Sequence, residues 1–60
     1  MLTNLEEVYK KVWENLQYLG YKEGGDITYY DYITSCEDVG VDDNILDIDY
    51  FCEQYKINIG

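Results

Sequence analysis

Apolar side chains recur at helical spacing in the first twenty residues. Their positions are Leu5, Val8, Tyr9, Val12, Leu16 and Leu19, with Trp13 on the flank of the stripe. Thr3 and Glu6 have the spacing of a capping box, which marks the start of a helix. Gly20 stands where helices commonly end in a left-handed residue. The pattern predicts an amphipathic first helix that stops at Gly20.

A turn and a second helix follow in the pattern. Residues 22–26 include Gly24 and Gly25 and predict a turn or loop. Beyond them the helical spacing resumes, with a stop at Gly40, and the apolar positions are Tyr29, Tyr32, Ile33, Cys36 and Val39. Because Ile, Thr and Tyr also favour strands, an alternative stays open. In that alternative, residues 27–35 form a strand and the glycine pair closes a hairpin.

A third helix is predicted after Gly40, with Asp42 or Asp43 placed to cap it. Its inward positions are Ile45, Ile48, Cys52 and Tyr55, with Phe51 alongside. Residues 56–60 are expected to be extended or frayed. We therefore expect one domain over residues 1–60, an all-α three-helix bundle whose second and third helices resemble a helix-turn-helix. The alternative is an α+β fold with a short hairpin after the first helix.

Negative charge is concentrated in the second part of the chain. The 60 residues contain 13 Asp and Glu against 4 Lys, which gives a formal net charge of −9. Residues 1–22 are neutral, so the remainder carries the whole excess. With so few cations, direct binding to nucleic-acid phosphates is excluded, and an anionic membrane surface is disfavoured. No apolar run approaches the length of a membrane span.

Catalytic and metal-binding patterns are missing from the sequence. It has no His or Arg, and its lone Ser35 has no base partner, so we expect no enzymatic activity. The aspartates after Asp38 fail the EF-hand register, because Gly40 stands where an oxygen ligand is needed. No metal or cofactor is expected. Cys36 and Cys52 are expected to be buried and reduced, and whether they pair stays open.

The acidic half of the chain is interpreted as a docking surface. A solvated face kept for solubility is the simplest alternative, but solubility does not require one neutral half and one strongly acidic half, whereas steering toward a cationic cleft does. The predicted partner-binding residues are Tyr30, Asp31, Glu37, Asp38, Asp42, Asp43, Asp47, Asp49, Tyr50 and Glu53, with Leu46 as a further apolar anchor.

The acidic half of the chain also contains carboxylates that are predicted to repel one another. Asp43 with Asp47, and Asp49 with Glu53, are spaced i,i+4 and repel one another on a helix. Reversal of Asp47, Asp49 and Glu53 to lysine is therefore expected to leave thermal stability equal or higher.

No secretory leader precedes the first helix, so the cytoplasm is the expected compartment.

In general character the chain resembles the phage-type inhibitors that occupy nucleic-acid-binding clefts, such as anti-CRISPR and anti-restriction DNA mimics. The resemblance rests on the acidic run from Asp31 to Glu53 and on the interleaved Tyr30 and Tyr50. It implies a competitive inhibitor whose carboxylates replace phosphates in the basic cleft of a nucleic-acid-binding protein or nuclease, in a host bacterial cytoplasm if the gene is phage-encoded.

Two alternatives belong to other functional classes. One is an immunity-like or antitoxin-like partner that neutralises a basic toxin away from its nucleic-acid cleft. The other is a structural module that forms a homodimer through exposed tyrosines and Leu46.

Overall fold

A computed structural model describes residues 4–60 as three helices and a small sheet, which confirms the predicted helical bundle. The elements in chain order are α1 (Asn4–Tyr18), β1 (Asp26–Ile27), α2 (Tyr29–Val39), a 3-10 helix (Asp43–Ile45), α3 (Ile48–Tyr55) and β2 (Asn58–Ile59). The predicted cap at Thr3 lies outside the described residues. No helix in the described range is long and apolar enough to span a membrane.

Both predicted glycine stops are confirmed. Gly20 has φ 108° and follows the last turn of α1, where its N–H donates to the Gln17 carbonyl at 2.9 Å. Gly40 has φ 89° and caps α2 through its N–H, which donates to the Cys36 carbonyl at 3.0 Å. A residue with a side chain is strained at such φ values, so glycine ends each helix with little steric cost.

The two short strands are parallel and join distant parts of the chain. Asp26 lies opposite Asn58 and Ile27 opposite Ile59. The hairpin alternative is therefore wrong, because a two-residue turn can connect only antiparallel strands. Residues after the glycine pair instead enter α2, whose first turn is capped by the Thr28 hydroxyl accepting from the Asp31 N–H at 3.2 Å.

The last residues of the chain are ordered by this pairing. The Asn58 N–H donates to the Gly25 carbonyl at 3.1 Å, and the Gly60 N–H donates to the Ile27 carbonyl at 3.0 Å. Ile57 is buried in the core. The segment is extended, as one of the two expectations had it, and these contacts prevent it from fraying.

The core is built around Phe51, whose exposed fraction is 0%. Its ring centroid lies 6.0 Å from Tyr9, 6.4 Å from Trp13, 5.5 Å from Tyr32 and 5.2 Å from Tyr55. These distances lie within the range in which aromatic pairs attract one another beyond simple area burial. Phe51 therefore connects α3 to both other helices.

The register of the third helix differs from the prediction. Ile45 is 61% exposed and Leu46 only 7%, so Leu46 belongs to the core and cannot be an exposed anchor. The reason is a break: the 3-10 helix ends at Ile45, and Leu46 is extended, with φ −92° and ψ 142°. α3 then starts afresh at Ile48 and is capped by Asp47 rather than by Asp42 or Asp43.

Three further apolar positions are exposed instead of buried. Leu5 lies in the first turn of α1, Leu19 lies beyond its end, and Tyr29 opens the first turn of α2. The connection between α2 and α3 spans residues 40–47 and includes the 3-10 helix, so it is longer than the turn of a helix-turn-helix.

The aromatic core generates a first prediction. We expect Phe51→Ala to lower the free energy of unfolding by about 3–5 kcal/mol, because it removes a buried ring and leaves a cavity. A domain this small has little stability in excess of that loss. Far-UV circular dichroism with urea titration should show a chain that is largely unfolded without denaturant.

Ile45→Ala is the matched control for this prediction. It truncates an apolar side chain near α3 that is exposed in the structure, so we expect a change within about 0.5 kcal/mol. Equal losses for the two variants would contradict the assigned register.

Candidate functional site

The predicted partner-binding residues occupy two places in the fold. Tyr30 and Asp31 lie in the first turn of α2, whereas Glu37 and Asp38 lie in its last turn. Tyr30 and Asp31 form a first group, and the predicted partner-binding residues from Glu37 onward form a second group. The ten predicted residues therefore divide between the start of α2 and the stretch from the end of α2 to α3.

The second group is called the acidic segment here. It runs from the end of α2 through the 3-10 helix into α3, and its carboxylates are those of Glu37, Asp38, Asp42, Asp43, Asp47, Asp49 and Glu53. All of them are exposed except Asp43, which is half-buried. No lysine occurs between Lys22 and Lys56. The acidic segment is thus a surface of one charge sign, whose potential extends beyond the molecule.

Three of the predicted site carboxylates already have structural partners. Asp47 Oδ1 accepts from the backbone N–H groups of Asp49 at 3.0 Å and Tyr50 at 3.2 Å, which caps α3. Asp42 Oδ1 accepts from the Asn44 N–H at 3.0 Å and caps the 3-10 helix. Asp31 accepts from the Tyr21 hydroxyl.

These contacts correct two expectations. Asp47 stabilises the fold, so its reversal to lysine is not neutral, because a lysine cannot accept the N–H bonds at the start of α3. Asp43 and Asp47 are not neighbours along one helix, because Leu46 interrupts it. Asp49 and Glu53 do lie one turn apart on α3, as the spacing indicates.

Five carboxylates of the acidic segment have no such partner. The side chains of this unpaired group form no hydrogen bond or ion pair with residues 4–60, and its members are Glu37, Asp38, Asp43, Asp49 and Glu53. Glu37 and Asp38 also lie at the negative end of the α2 dipole, where anions are unfavourable. The unpaired group therefore contributes negative potential without a stabilising contact.

The two predicted aromatic anchors differ in their surroundings. Tyr30 is exposed at the start of α2. Tyr50 is 41% exposed, and its ring centroid lies 5.1 Å from that of Tyr9 at an interplanar angle of 55°. The Tyr9 hydroxyl accepts from the Asp47 N–H at 2.7 Å. The Tyr50 ring is therefore packed against Tyr9 on one side and exposed to solvent on the other, within the part of α3 that carries the acidic segment.

Tyr9 and Tyr50 line two hollows between α1 and α3. One has a volume of about 270 Å³ and is bordered by Leu5, Glu6 and Asp47. The other has a volume of about 290 Å³ and extends toward Gln54 and Tyr55, with Lys10 at its border. Leu5 and Glu6 were not predicted to border a hollow, because the helical spacing assigned Leu5 to the core stripe, whereas Tyr9 is buried as predicted and reaches the hollow at its edge. The phenol group of Tyr9 was the available signal, since a tyrosine often keeps its polar end near water.

The buried thiols and the buried phenol are kept neutral. Burial raises the pKa of Tyr32, and the adjacent Cys36 and the charge of Asp43 raise it further. Burial likewise raises the pKa of Cys36 and of Cys52 above the ordinary value. Both cysteines are free thiols, Cys36 buried as expected and Cys52 half-buried. A raised pKa disfavours the nucleophilic thiolate.

Tyr32 also carries a buried polar atom without a partner. Its exposed fraction is 1%, and within residues 4–60 its hydroxyl has no hydrogen-bond partner of normal geometry, although the Cys36 thiol lies beside it. Within residues 4–60, no three His, Cys, Asp or Glu side chains are arranged to hold a metal ion.

Comparison of the chain with protein-family models, curated proteins and solved structures finds no significant match.

The cap at Asp47 generates a prediction that separates structural from unpaired carboxylates. We expect Asp47→Ala to lower the free energy of unfolding by about 1 kcal/mol, because it removes the acceptor for two N–H groups of α3. Glu53→Ala, on the same helix, should leave stability within about 0.5 kcal/mol or raise it slightly, because it relieves repulsion from Asp49. Urea denaturation at neutral pH measures both, and a loss for Glu53→Ala as large as for Asp47→Ala would contradict the division.

The unpaired phenol of Tyr32 generates another prediction. We expect Tyr32→Phe to raise the free energy of unfolding by about 1 kcal/mol, because it removes a buried hydroxyl that lacks a hydrogen bond. Thermal and urea unfolding at neutral pH measure the gain. Tyr18→Phe is the control, since Tyr18 is exposed and its hydroxyl is solvated in both states.

The pH dependence of stability provides a second measurement on the same variant. Because burial raises the pKa of Tyr32 above its ordinary 10.0, the unfolded chain loses this proton first. The stability associated with Tyr32 is therefore complete below pH 10 and declines as the pH rises further. Tyr32→Phe should lose stability less steeply above pH 10 than the parent chain. Parallel curves would show that Tyr32 does not titrate differently in the two states.

Proposed function

We propose that this protein is a protein-binding inhibitor that occupies the basic, nucleic-acid-binding cleft of an enzyme or other protein with its acidic segment. We propose the cytoplasm as the compartment in which this encounter takes place. It requires no catalysis by the inhibitor. Exclusion of the nucleic acid from the cleft is sufficient.

The observation that carries the proposal is the unpaired group of carboxylates. Five negative side chains on consecutive elements lack any partner in residues 4–60, and one like-charge pair on α3 opposes folding. A solubility role would be served equally well by charges interspersed with lysines, which would cost the fold less. A cationic partner explains both the segregation and the missing intramolecular ion pairs.

The mechanism follows from charge and from the aromatic border. Lysine and arginine side chains that normally bind phosphates would bind Glu37, Asp38, Asp49 and Glu53 instead. Long-range attraction accelerates the encounter, and salt weakens it. The exposed part of Tyr50 adds an apolar contact, which distinguishes a specific inhibitor from a simple polyanion.

The experiment compares two triple variants that each remove three negative charges from the formal −9. The test variant is Asp38→Asn, Asp49→Asn and Glu53→Gln, all in the unpaired group. The control variant is Glu7→Gln, Glu14→Gln and Glu23→Gln, outside the acidic segment. Immobilised parent and variants capture proteins from nuclease-treated bacterial lysate, and the retained proteins are eluted with salt or with duplex DNA.

We expect the parent and the control to retain a basic nucleic-acid-binding protein that duplex DNA displaces. The test variant should bind it about tenfold more weakly, because three exposed charge contacts are lost. Equal weakening by both variants would reduce the interaction to net charge and contradict the proposal. A partner that salt elutes but DNA does not displace would favour the immunity-type alternative.

A further inference from the structure

Large apolar side chains are exposed where α1 stops and where α2 starts. Tyr18 is 90% exposed and Tyr30 77%, and about half of each of Leu19 and Tyr29 is exposed. These four side chains are called the aromatic end here. Exposed apolar surface that is concentrated in one place marks an interaction site, whereas singly scattered apolar residues do not.

The packing of α1 against α2 brings the four side chains to the same end of the molecule. The Ser35 hydroxyl donates to Asn15 Oδ1 at 3.2 Å. Nearer to the connecting loop, the Tyr21 hydroxyl donates to Asp31. The two helices are therefore antiparallel, and the last turn of α1 lies beside the first turn of α2.

The acidic segment is concentrated at the opposite end. Its first six carboxylates belong to the end of α2, the 3-10 helix and the start of α3. That start is held near the beginning of α1, because the Asp47 N–H donates to the Tyr9 hydroxyl. Tyr30, which the sequence analysis assigned to the acidic surface, therefore belongs to a different part of the molecule.

The end that carries the aromatic side chains is nearly balanced in charge. It comprises residues 18–31 and 54–60, which contain two lysines against three carboxylates, so it carries −1 of the formal −9. The Gly24 N–H donates to the Lys56 carbonyl at 2.8 Å, which places Lys56 beside the loop that carries Lys22. Both lysines are exposed, and neither forms an ion pair with residues 4–60.

We propose that a second copy of this chain covers the aromatic end, in a two-fold symmetric dimer whose acidic segments point away from one another. In such a dimer every contact occurs twice, so the lysines of each copy can face the carboxylates of the other, Glu23 and Asp26. A basic partner would meet Lys22 and Lys56 here, and an acidic partner would add to the net charge of −9. A second copy offers both signs of charge together with the same aromatic surface.

The available area fits a reversible dimer. A buried aromatic side chain contributes about 150–250 Å², so the four side chains, at their exposed fractions, offer on the order of 500 Å² in each copy. A standard interface takes about 800 Å² from each partner, and the adjoining loop can contribute the remainder. We therefore expect a dimer that dissociates on dilution rather than an obligate one.

Repulsion between two acidic copies does not prevent this arrangement. α1 has 15 residues and is therefore about 22 Å long, so most carboxylates of one acidic segment lie about twice that distance from those of the other. At physiological ionic strength, charges separated by more than about 8 Å are largely screened. Contact through the acidic segments would instead oppose like charges directly.

The inference goes beyond the proposed function and does not depend on it. It also differs from the homodimer considered in the sequence analysis, because Leu46 is buried and takes no part. If both proposals hold, each dimer presents two acidic segments and can occupy two clefts at once.

Sedimentation equilibrium of the full chain over a concentration series tests the inference. We expect the mass to rise with concentration from 7.1 kDa to twice that value and no further, because a two-fold interface is closed. The dimer should persist at high salt, because its contact is largely apolar. Binding of the acidic segment to a basic partner should instead weaken at high salt.

Single substitutions locate the contact. Tyr18→Ser and Tyr30→Ser should each weaken dimerisation about tenfold, because each removes an aromatic contact that occurs twice in the dimer. Ile45→Ser is the matched control, since Ile45 is also largely exposed but lies in the 3-10 helix, and it should leave the dissociation constant unchanged. Circular dichroism verifies that every variant is folded.

A charge exchange tests the second copy as the partner. One variant carries Lys22→Glu and Lys56→Glu, and the other carries Glu23→Lys and Asp26→Lys. Each variant alone should dimerise about tenfold more weakly than the parent, because both copies then present the same sign of charge. An equimolar mixture should recover the dimer, although both variants keep a negative net charge.

Several outcomes would overturn the inference. These are the mass of one chain at every concentration, equal weakening by Ile45→Ser and the tyrosine variants, and a mixture of the exchanged variants that stays monomeric. A monomer that still captures a DNA-displaceable partner would refute the dimer and leave the proposed function intact. A dimer that captures no such partner would refute the proposed function and support the dimer.

Discussion

The burial of Phe51 among four aromatic rings is the constraint on which the rest of the structure depends. A 60-residue chain buries a limited share of its surface, so a few large rings must supply much of the apolar area. Phe51 touches rings from α1, α2 and its own helix, and two further ring pairs, Tyr9 with Tyr50 and Trp13 with Tyr55, also join α1 to α3. The orientation of α3, and with it the display of Asp49, Tyr50 and Glu53, depends on this aromatic packing.

Tyrosine rather than phenylalanine at the border of this core has consequences for the surface. The Tyr9 ring packs on Phe51 while its hydroxyl accepts from the Asp47 N–H, so a core residue also fixes the start of α3. Tyr21 likewise donates to Asp31 at the start of α2. Phenol groups thus connect core side chains to acidic residues. Among residues 4–60, Tyr32 is the exception, because its hydroxyl is buried without a hydrogen-bond partner. That exception costs stability, since an unpaired buried hydroxyl loses its water without compensation.

Elements defined by local chemistry could be predicted from the sequence, whereas those defined by distant contacts could not. The stops at Gly20 and Gly40 are local, and the structure confirms them. It also confirms the middle of the α1 stripe, from Tyr9 to Leu16, but not its ends at Leu5 and Leu19. The pairing of β1 with β2 joins residues 26–27 to 58–59, and no periodicity reports such a contact.

The start of α3 was predicted wrongly for a different reason. Aspartate is a favourable cap wherever it stands, so the predicted cap at Asp42 or Asp43 has the same local chemistry as the true cap at Asp47. The structure uses both, with Leu46 turned inward between them. The candidate site was likewise predictable only in its local features. The exposure of the acidic segment follows from its composition. The hollow beside Tyr50 depends on how α1 and α3 pack together, which only the tertiary structure shows.

Asp47 joins the stability of this protein to its proposed interactions. Its Oδ1 atom accepts from the first turn of α3, its N–H donates to the Tyr9 hydroxyl, and its Oδ2 atom accepts no hydrogen bond from residues 4–60. A cation that binds at this carboxylate therefore acts on the residue that fixes α3, and α3 carries the unpaired carboxylates Asp49 and Glu53. Any ligand that binds the folded state but not the unfolded state stabilises the fold. Because like charges on α3 oppose folding in the free protein, the cationic partner that we propose would relieve that repulsion as it binds, and part of its affinity would come from this relief. The repulsion that weakens the isolated domain would thus favour the proposed complex.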